Sequence, residues 1–247
     1  MLAPLGFAPS TVDPSLFLRT DPTLSPFYIL VYVNDLVFAT TDTEALTLVK
    51  AKLQKRHTCT DMGELRNYLG LQITQDRARR TIIVTQSHMV HQVLQRFDFE
   101  FSLPLCTLLP TGHSLSAPPL DEFAEPNEHW RAAKRVLRYL CSTSGMGLVL
   151  GGRGSVVLTG HSDASWADDQ GNQRSSQGYS FSLGSGPISW RSTHSSSVLG
   201  SSCEAEIYAG AMAAQEERWL TYLLIELGER PRSPPVLYID NKAMIAL

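Results

Sequence analysis

Apolar positions along the chain change period several times, and each change marks an element. Two β-rich runs at 28–33 and 36–39 stand on either side of Asn34-Asp35, two residues that tolerate positive φ, so the pattern predicts a hairpin. From 43 to 56 the spacing becomes helical, with Ala45, Leu48, Val49 and Leu53 on one face. Strands are predicted at 68–74 and 81–84 around a charged turn, Asp76 to Arg80, and a helix at 86–97 on Met89, Val90, Val93, Leu94 and Phe97. After a break the pattern resumes with a helix at 129–141. It places Trp130, Ala133, Leu137 and Leu140 on one side and Arg131, Lys134, Arg135 and Arg138 on another. Strands follow at 147–150, 156–162, 177–183 and 187–191, then a long helix from about 202 to 227, and a strand at 236–239 that runs into Asp240.

The stretches between these elements give the organisation. Residues 1–26 hold prolines and no periodicity and are expected to be irregular. Residues 103–126, again Pro-rich, read as a linker or a deletion join between a unit at 27–102 and a second at 127–247. Strands and helices mix in both units, so the fold class is α/β (α+β). With 43% hydrophobic residues the chain has material for a core, which excludes a wholly disordered protein.

Charge and cysteine content narrow the function classes. The net charge of −3 conceals a basic stretch, 131–158, that contains no acid, followed by a C-terminal part in which acids outnumber bases. That asymmetry suits a chain that grips phosphates in one place and holds cations in another, although solvated faces of ordinary kind look the same. The four cysteines form no C-x-x-C pair, which fits neither a zinc knuckle nor a secreted disulfide framework and indicates a reducing, intracellular setting. The N-terminus has no basic n-region and is broken by Pro4 and Pro9, and the longest apolar run is too short to cross a bilayer, so no signal peptide and no membrane partner are expected.

Three acids stand at element junctions. Asp163 closes a strand, Glu204 lies in the first turn of the long helix, and Asp240 ends an apolar strand, where open α/β sheets place their ligands. Gathered in one pocket, three carboxylates repel unless divalent cations compensate, and magnesium on oxygen ligands suits in-line phosphoryl displacement. Each acid also has a plain structural reading. Ser201-Ser-Cys-Glu204 matches a capping box, Asp240 precedes a helical pattern it could cap, and Asp163 could be a turn residue. Spacing alone does not choose between the two. His88 and His91, one helical turn apart without a Cys or acid nearby, read as surface histidines.

A resemblance bears on the choice. Ser162-Asp-Ala-Ser-Trp-Ala167, Gln173-Arg-Ser-Ser-Gln-Gly-Tyr179, Leu183-Gly-Ser-Gly-Pro-Ile-Ser-Trp190, Ser201-Ser-Cys-Glu-Ala-Glu206 and Tyr238-Ile-Asp-Asn241, in this order, resemble the ribonuclease H domain of copia-type LTR retrotransposon polyproteins. The resemblance implies a mixed sheet with flanking helices and a magnesium- or manganese-dependent nuclease that cuts RNA in an RNA–DNA hybrid. It assigns the metal-ligand and catalytic roles to Asp163, Glu204 and Asp240, with Glu204 rather than Glu206 as the ligand; Cys203 stands where the family usually has Thr. Residues 28–39 are similar to the palm hairpin of the same polyprotein's reverse transcriptase, 62–73 to the segment after it, and 86–97 to the start of its thumb. No small-molecule cofactor is implied. The family implies the cytoplasm or nucleus, in virus-like particles.

Four departures from the family shape the functional expectation. The polymerase turn reads Val33-Asn34-Asp35, so Asp35 remains where the family has two adjacent aspartates. The fingers and the palm strand with a further catalytic aspartate do not precede it, the join between Pro119 and Trp130 is short, and the sequence stops at Leu247, ahead of the family's last acidic ligand. Polymerase activity is therefore expected to be lost and ribonuclease H activity to be weakened. The alternative is a non-catalytic remnant that binds nucleic acid through Arg131, Lys134, Arg135 and Arg138, or an inactive product of a decayed transposon.

Overall fold

The computed structural model describes residues 2–108, 126–152, 157–169, 171–231 and 233–242, without the side chains of 126–128. The described chain divides into two compact units: residues 1–65 with 218–231, and 66–217 with 232–247. The linker or join expected over 103–126 falls within the second span, and residues 109–125 of it lie outside the described residues. It is an α+β architecture of three four-stranded sheets and four helices among the described residues.

In the first unit, β1 (Phe7–Pro9), β2 (Leu16–Arg19), β3 (Phe27–Tyr32) and β4 (Asp35–Thr40) form one antiparallel sheet in that order. The expectation of an irregular segment over 1–26 is corrected here. β1 and β2 are short, and the apolar side chain that anchors them, Phe7, meets Phe27 edge-on at 5.1 Å, a contact that no local pattern announces. Phe7, Phe27 and Ile29 are buried with Val49 and Leu53 of α1 (Thr43–Arg56). Of the predicted α1 stripe, Leu48 is 62% exposed, so the buried face is narrower than the spacing suggested. Asp42 caps α1 by accepting from the Ala45 N–H at 2.9 Å and pairs with Arg19 at 3.1 Å. The Ala45 N–H and then the Arg19 guanidinium hold its carboxyl below the usual range. Near the other end of the unit, the Glu226 carboxylate accepts from the Ser10 and Thr11 hydroxyls and Tyr28 donates to the Leu227 carbonyl at 2.6 Å.

The predicted hairpin forms, one residue out of place. Tyr32 pairs with Asp35, so the loop is Val33-Asn34, and Val33 rather than Asn34 carries the positive φ, 52°. A β-branched residue in that region is strained, because its Cβ crowds the backbone.

In the second unit, β5 (Asn67–Tyr68), β6 (Leu71–Asp76), β7 (Thr81–Thr85) and β8 (Gly147–Gly151) make one antiparallel sheet. α2 (Ser87–Arg96) and α3 (Pro126–Thr143) belong to the same unit, where the Ser87 hydroxyl donates to the Ser144 carbonyl at 2.7 Å. The last sheet runs β11 (Gly186–His194), β10 (Ser176–Leu183), β9 (Leu158–Ser165), β12 (Val236–Ile239), antiparallel except for the parallel pair of β9 and β12. Residue 156, the expected start of β9, lies outside the described residues. Leu158, Gly160 and Ser162 point to the buried face of β9, and His161, Asp163 and Ser165 to the exposed one. In this unit Glu216, from the part of α4 (Ser202–Glu226) that belongs to it, accepts from Ser189 of β11 at 2.6 Å. Burial first, then the Glu216 charge, pushes the Tyr179 phenol above its usual range.

Gly160 is where this sheet is tightest. A Cβ there would stand 2.3 Å from Cε1 of Phe181, itself fully buried. Gly160→Ala is therefore expected to destabilise the protein by about 1–3 kcal/mol through overpacking. A denaturant midpoint that stays where it is would overturn this packing account.

Candidate metal centre

Asp163, Glu206 and Asp240 come from three elements, and one carboxylate oxygen of each lies within 4.8 Å of the others. Strand pairing brings the two aspartates together. In the parallel register of β9 and β12, Tyr238 pairs with His161, and their rings stack at 5.0 Å. Two residues further on stand Asp163, in β9, and Asp240, just past β12; both are exposed, and the alternation of side chains puts them on the side of the stacked pair.

Glu206 arrives from the second turn of α4. It is 6% exposed and sits on the helix side that buries Ala205, Ala209 and Ala213. The Ala164 backbone, next to Asp163, hydrogen-bonds its carboxylate, while the buried Oε2 has no hydrogen-bond partner. Burial, and after it the charges of Asp240 and Asp163, push its pKa above the ordinary glutamate value. A buried carboxylate oxygen without a donor, facing two further carboxylates, is a donor set that fits a hard divalent cation: oxygen ligands, negative charge and one polar atom left to satisfy.

The third acid differs from the one expected. Glu204 is not in the group; its Oε2 accepts from the Gly200 N–H at 2.7 Å, and its own N–H donates to the Ser201 hydroxyl at 3.1 Å. Two residues on a helix are about 200° apart, so Glu204 and Glu206 cannot both face the sheet. The plain reading of Ser201-Ser-Cys-Glu204 as a capping box holds for Glu204. A signal for Glu206 was present in the sequence: the small-residue stripe Ala205, Ala209, Ala213 places Glu206, not Glu204, beside the packed face.

Asp35 is exposed at the start of β4, and among the described residues no metal-type cluster includes it. The four basic residues of α3 also divide. Arg131 and Arg138 are exposed; Lys134 lies 5.7 Å from the Trp130 ring centroid. Arg135 is half-buried and donates to the Thr107 hydroxyl at 2.8 Å, so a residue expected to face phosphates is tied to the chain itself. The expected apolar face is corrected too: Ala132 and Leu137 are buried, whereas Trp130 is 52% exposed and Ala133 is exposed. His88 and His91 are exposed and bonded to Gln92 and to the Ser87 carbonyl of their own helix.

Comparison with known proteins joins these features to a family. Residues 1–109 match the reverse transcriptase (RNA-dependent DNA polymerase) family model. The chain is 30% identical over 275 residues to the retrovirus-related Pol polyprotein from transposon RE2 of Arabidopsis thaliana, covering 97% of this chain and 19% of that protein. It is 29% identical over 277 residues to the corresponding polyprotein from transposon TNT 1-94 of Nicotiana tabacum, covering 95% of this chain and 21% of that one. Along nearly its whole length the chain is similar to one region of the copia-type retrotransposon Pol polyproteins.

The chain spans about a fifth of the length of these curated relatives (19% and 21%). It is also 50% identical over 93 residues to the secreted RxLR effector protein 161 of Plasmopara viticola, covering 38% of this chain and 66% of that protein. No solved structure matches it. Among the described residues no helix is long and apolar enough to cross a membrane.

Proposed function

We propose that the second unit of this reverse-transcriptase-family chain is a divalent-cation-dependent nuclease centre of ribonuclease H type, acting on RNA–DNA hybrids, and that polymerase activity is lost. The observation that carries the reading is the convergence of Asp163, Glu206 and Asp240 within 4.8 Å, with Glu206 Oε2 buried and unpartnered. Asp163, Glu206 and Asp240 would hold magnesium or manganese, which when bound supplies Lewis-acid polarisation of a phosphoryl group and an activated water.

The chain's own residues do the rest. Asp163 and Asp240 are exposed, so a phosphodiester can approach them, while buried Glu206 completes the group beside them. On the polymerase side, Asn34 supplies an amide where a second carboxylate is needed, leaving Asp35 without a partner for holding two cations.

Arg131 and Arg138 of α3 support contact with a phosphate backbone, because both guanidinium groups face solvent. Each neutralised phosphate adds about 0.9 to the slope of log K against log salt, so removing both by Arg131→Ala and Arg138→Ala is expected to lower that slope by about 1.8. Fluorescence anisotropy of a labelled hybrid between low and moderate salt measures it, and an unchanged slope would remove these two residues from the interface. The nuclease reading itself is tested by incubating a labelled RNA–DNA hybrid with the purified chain and magnesium or manganese. Cleavage that EDTA abolishes supports it. A folded protein that binds the hybrid and leaves it intact would point instead to a non-catalytic nucleic-acid-binding remnant.

A further inference from the structure

The loop that leads into α4 is fastened to the segment just past β9 by a hydrogen bond that no cation ligand makes, and further bonds tie that loop to the helix's first turn. Trp166, three residues beyond Asp163, donates its indole N–H to the Leu199 carbonyl at 2.9 Å. The next residue, Gly200, donates its N–H to Glu204 Oε2 at 2.7 Å, and Glu204 returns its N–H to the Ser201 hydroxyl at 3.1 Å. The helix ladder then opens with the Ala205 N–H on the Ser201 carbonyl at 3.1 Å. This is a capping box in which the glutamate reaches one residue further back than usual, so it ties the incoming loop as well as the first turn. Leu199 is 4% exposed, which makes the loop a packed anchor rather than a free end. Glu206 follows directly, half a turn on, and its place beside Asp163 depends on where that first turn is held.

We propose that Glu204 and Trp166 are positioning residues of the cation site: they lock the first turn of α4 to the end of β9, so that Glu206 meets Asp163 and Asp240. This rests on the reading of those three carboxylates as cation ligands. The role needs a hydrogen-bond acceptor at position 204 and no charge, because the partner is a backbone N–H. A metal ligand at 204 would need the charge. Gln, which keeps the acceptor, separates the two.

The experiment is a titration of the full chain with Mn²⁺, counting free ion by its electron paramagnetic resonance signal, at pH 7 and about 0.15 M salt, where charges more than roughly 8 Å apart are screened. Glu204→Ala is expected to weaken Mn²⁺ binding about tenfold, at the low end of what losing an outer-shell partner costs. Glu204→Gln should stay within about twofold of the parent. Glu206→Gln should lose the site. Trp166→Phe keeps the ring and removes the donor, and should weaken binding in the same direction as Glu204→Ala; it stands in for that variant if α4 fails to form without its cap.

The outcomes separate the two claims. A parent chain that binds no Mn²⁺, or a Glu206→Gln variant that binds like it, defeats the cation site. A parent that binds, a Glu206→Gln variant that does not, and unweakened Glu204→Ala and Trp166→Phe variants defeat the positioning role alone. Glu204→Gln as weak as Glu204→Ala would also overturn it, since charge rather than hydrogen bonding would then be what matters at 204.

Discussion

Asp163→Asn is expected to abolish cation-dependent cleavage of an RNA–DNA hybrid, lowering the rate by at least about 100-fold, while leaving the chain folded. Even an outer-shell partner of a metal costs roughly 10–100-fold in affinity when lost, and Asp163 belongs to the carboxylate group itself. Folding should survive because Asp163 lies on the exposed face of β9, and its backbone pairing with Gly178 of β10 does not involve the side chain. The replacement removes one of three like charges, so the metal-free chain loses repulsion rather than gaining it. Single-turnover cleavage of a labelled hybrid beside a thermal unfolding curve measures both parts. Undiminished cutting by a well-folded Asp163→Asn protein would rule this carboxylate out of the chemistry.

Glu206→Gln should reverse sign with the cation. Glu206 is 6% exposed, and its pKa is raised by burial and then by Asp240 and Asp163. A carboxyl whose folded pKa lies above its unfolded value of 4.5 contributes stability that is fully present below that value and lost as pH rises through the folded pKa. Toward neutral pH the metal-free parent therefore loses stability through the buried, under-partnered Glu206 charge beside Asp163 and Asp240.

Glu206→Gln removes that charge. It is expected to stabilise the metal-free chain by about 1 kcal/mol, or roughly 2–4 °C, and to flatten the loss of stability between acid and neutral pH. With Mn²⁺ at about 100 times its Kd the parent gains about 2.7 kcal/mol by linkage and the variant gains nothing, so the parent becomes the more stable of the two. Thermal unfolding at pH 5 and pH 7, with and without Mn²⁺, tests the crossover. A variant that melts below the parent without metal, or rises with Mn²⁺ as the parent does, contradicts it.

The positive φ of Val33 and the identity of Asn34 give the polymerase-like hairpin a different standing from the carboxylate group. The hairpin is local: Tyr32 and Asp35 pair across two residues, and the loop exists wherever the two strands do. The carboxylate group is not local at all. It exists only if a parallel strand pair and a helix are all in place, which is why its integrity also reports on the integrity of the second unit.

What the sequence determined by itself is the set of elements whose apolar residues repeat over a few turns or a few pleats. The helices α1 and α2, the strands β3, β4 and β7, the pair β10 and β11, and the terminal strand β12 all lie within three residues of the predicted bounds, because periodicity is a property of neighbours in the chain. Asp163 and Asp240 were legible in the same way, as acids at strand ends, together with the block order that resembles the copia-type family.

Tertiary structure alone decided the rest. β1 and β2 are strands because a neighbouring strand accepts their hydrogen bonds and because Phe7 finds Phe27, neither of which three or four residues can encode. Leu48 and Trp130 are exposed although their spacing is helical and apolar. Arg135 bonds Thr107, 28 residues away, and leaves the basic face to its neighbours. Glu206 displaces Glu204 from the site because α4 turns one face to the sheet, and a rotation of about 200° separates the two acids. A chain states which residues repeat. Which face of each repeat is buried, and so which carboxylate meets the others, is settled only when the sheet and the helix pack.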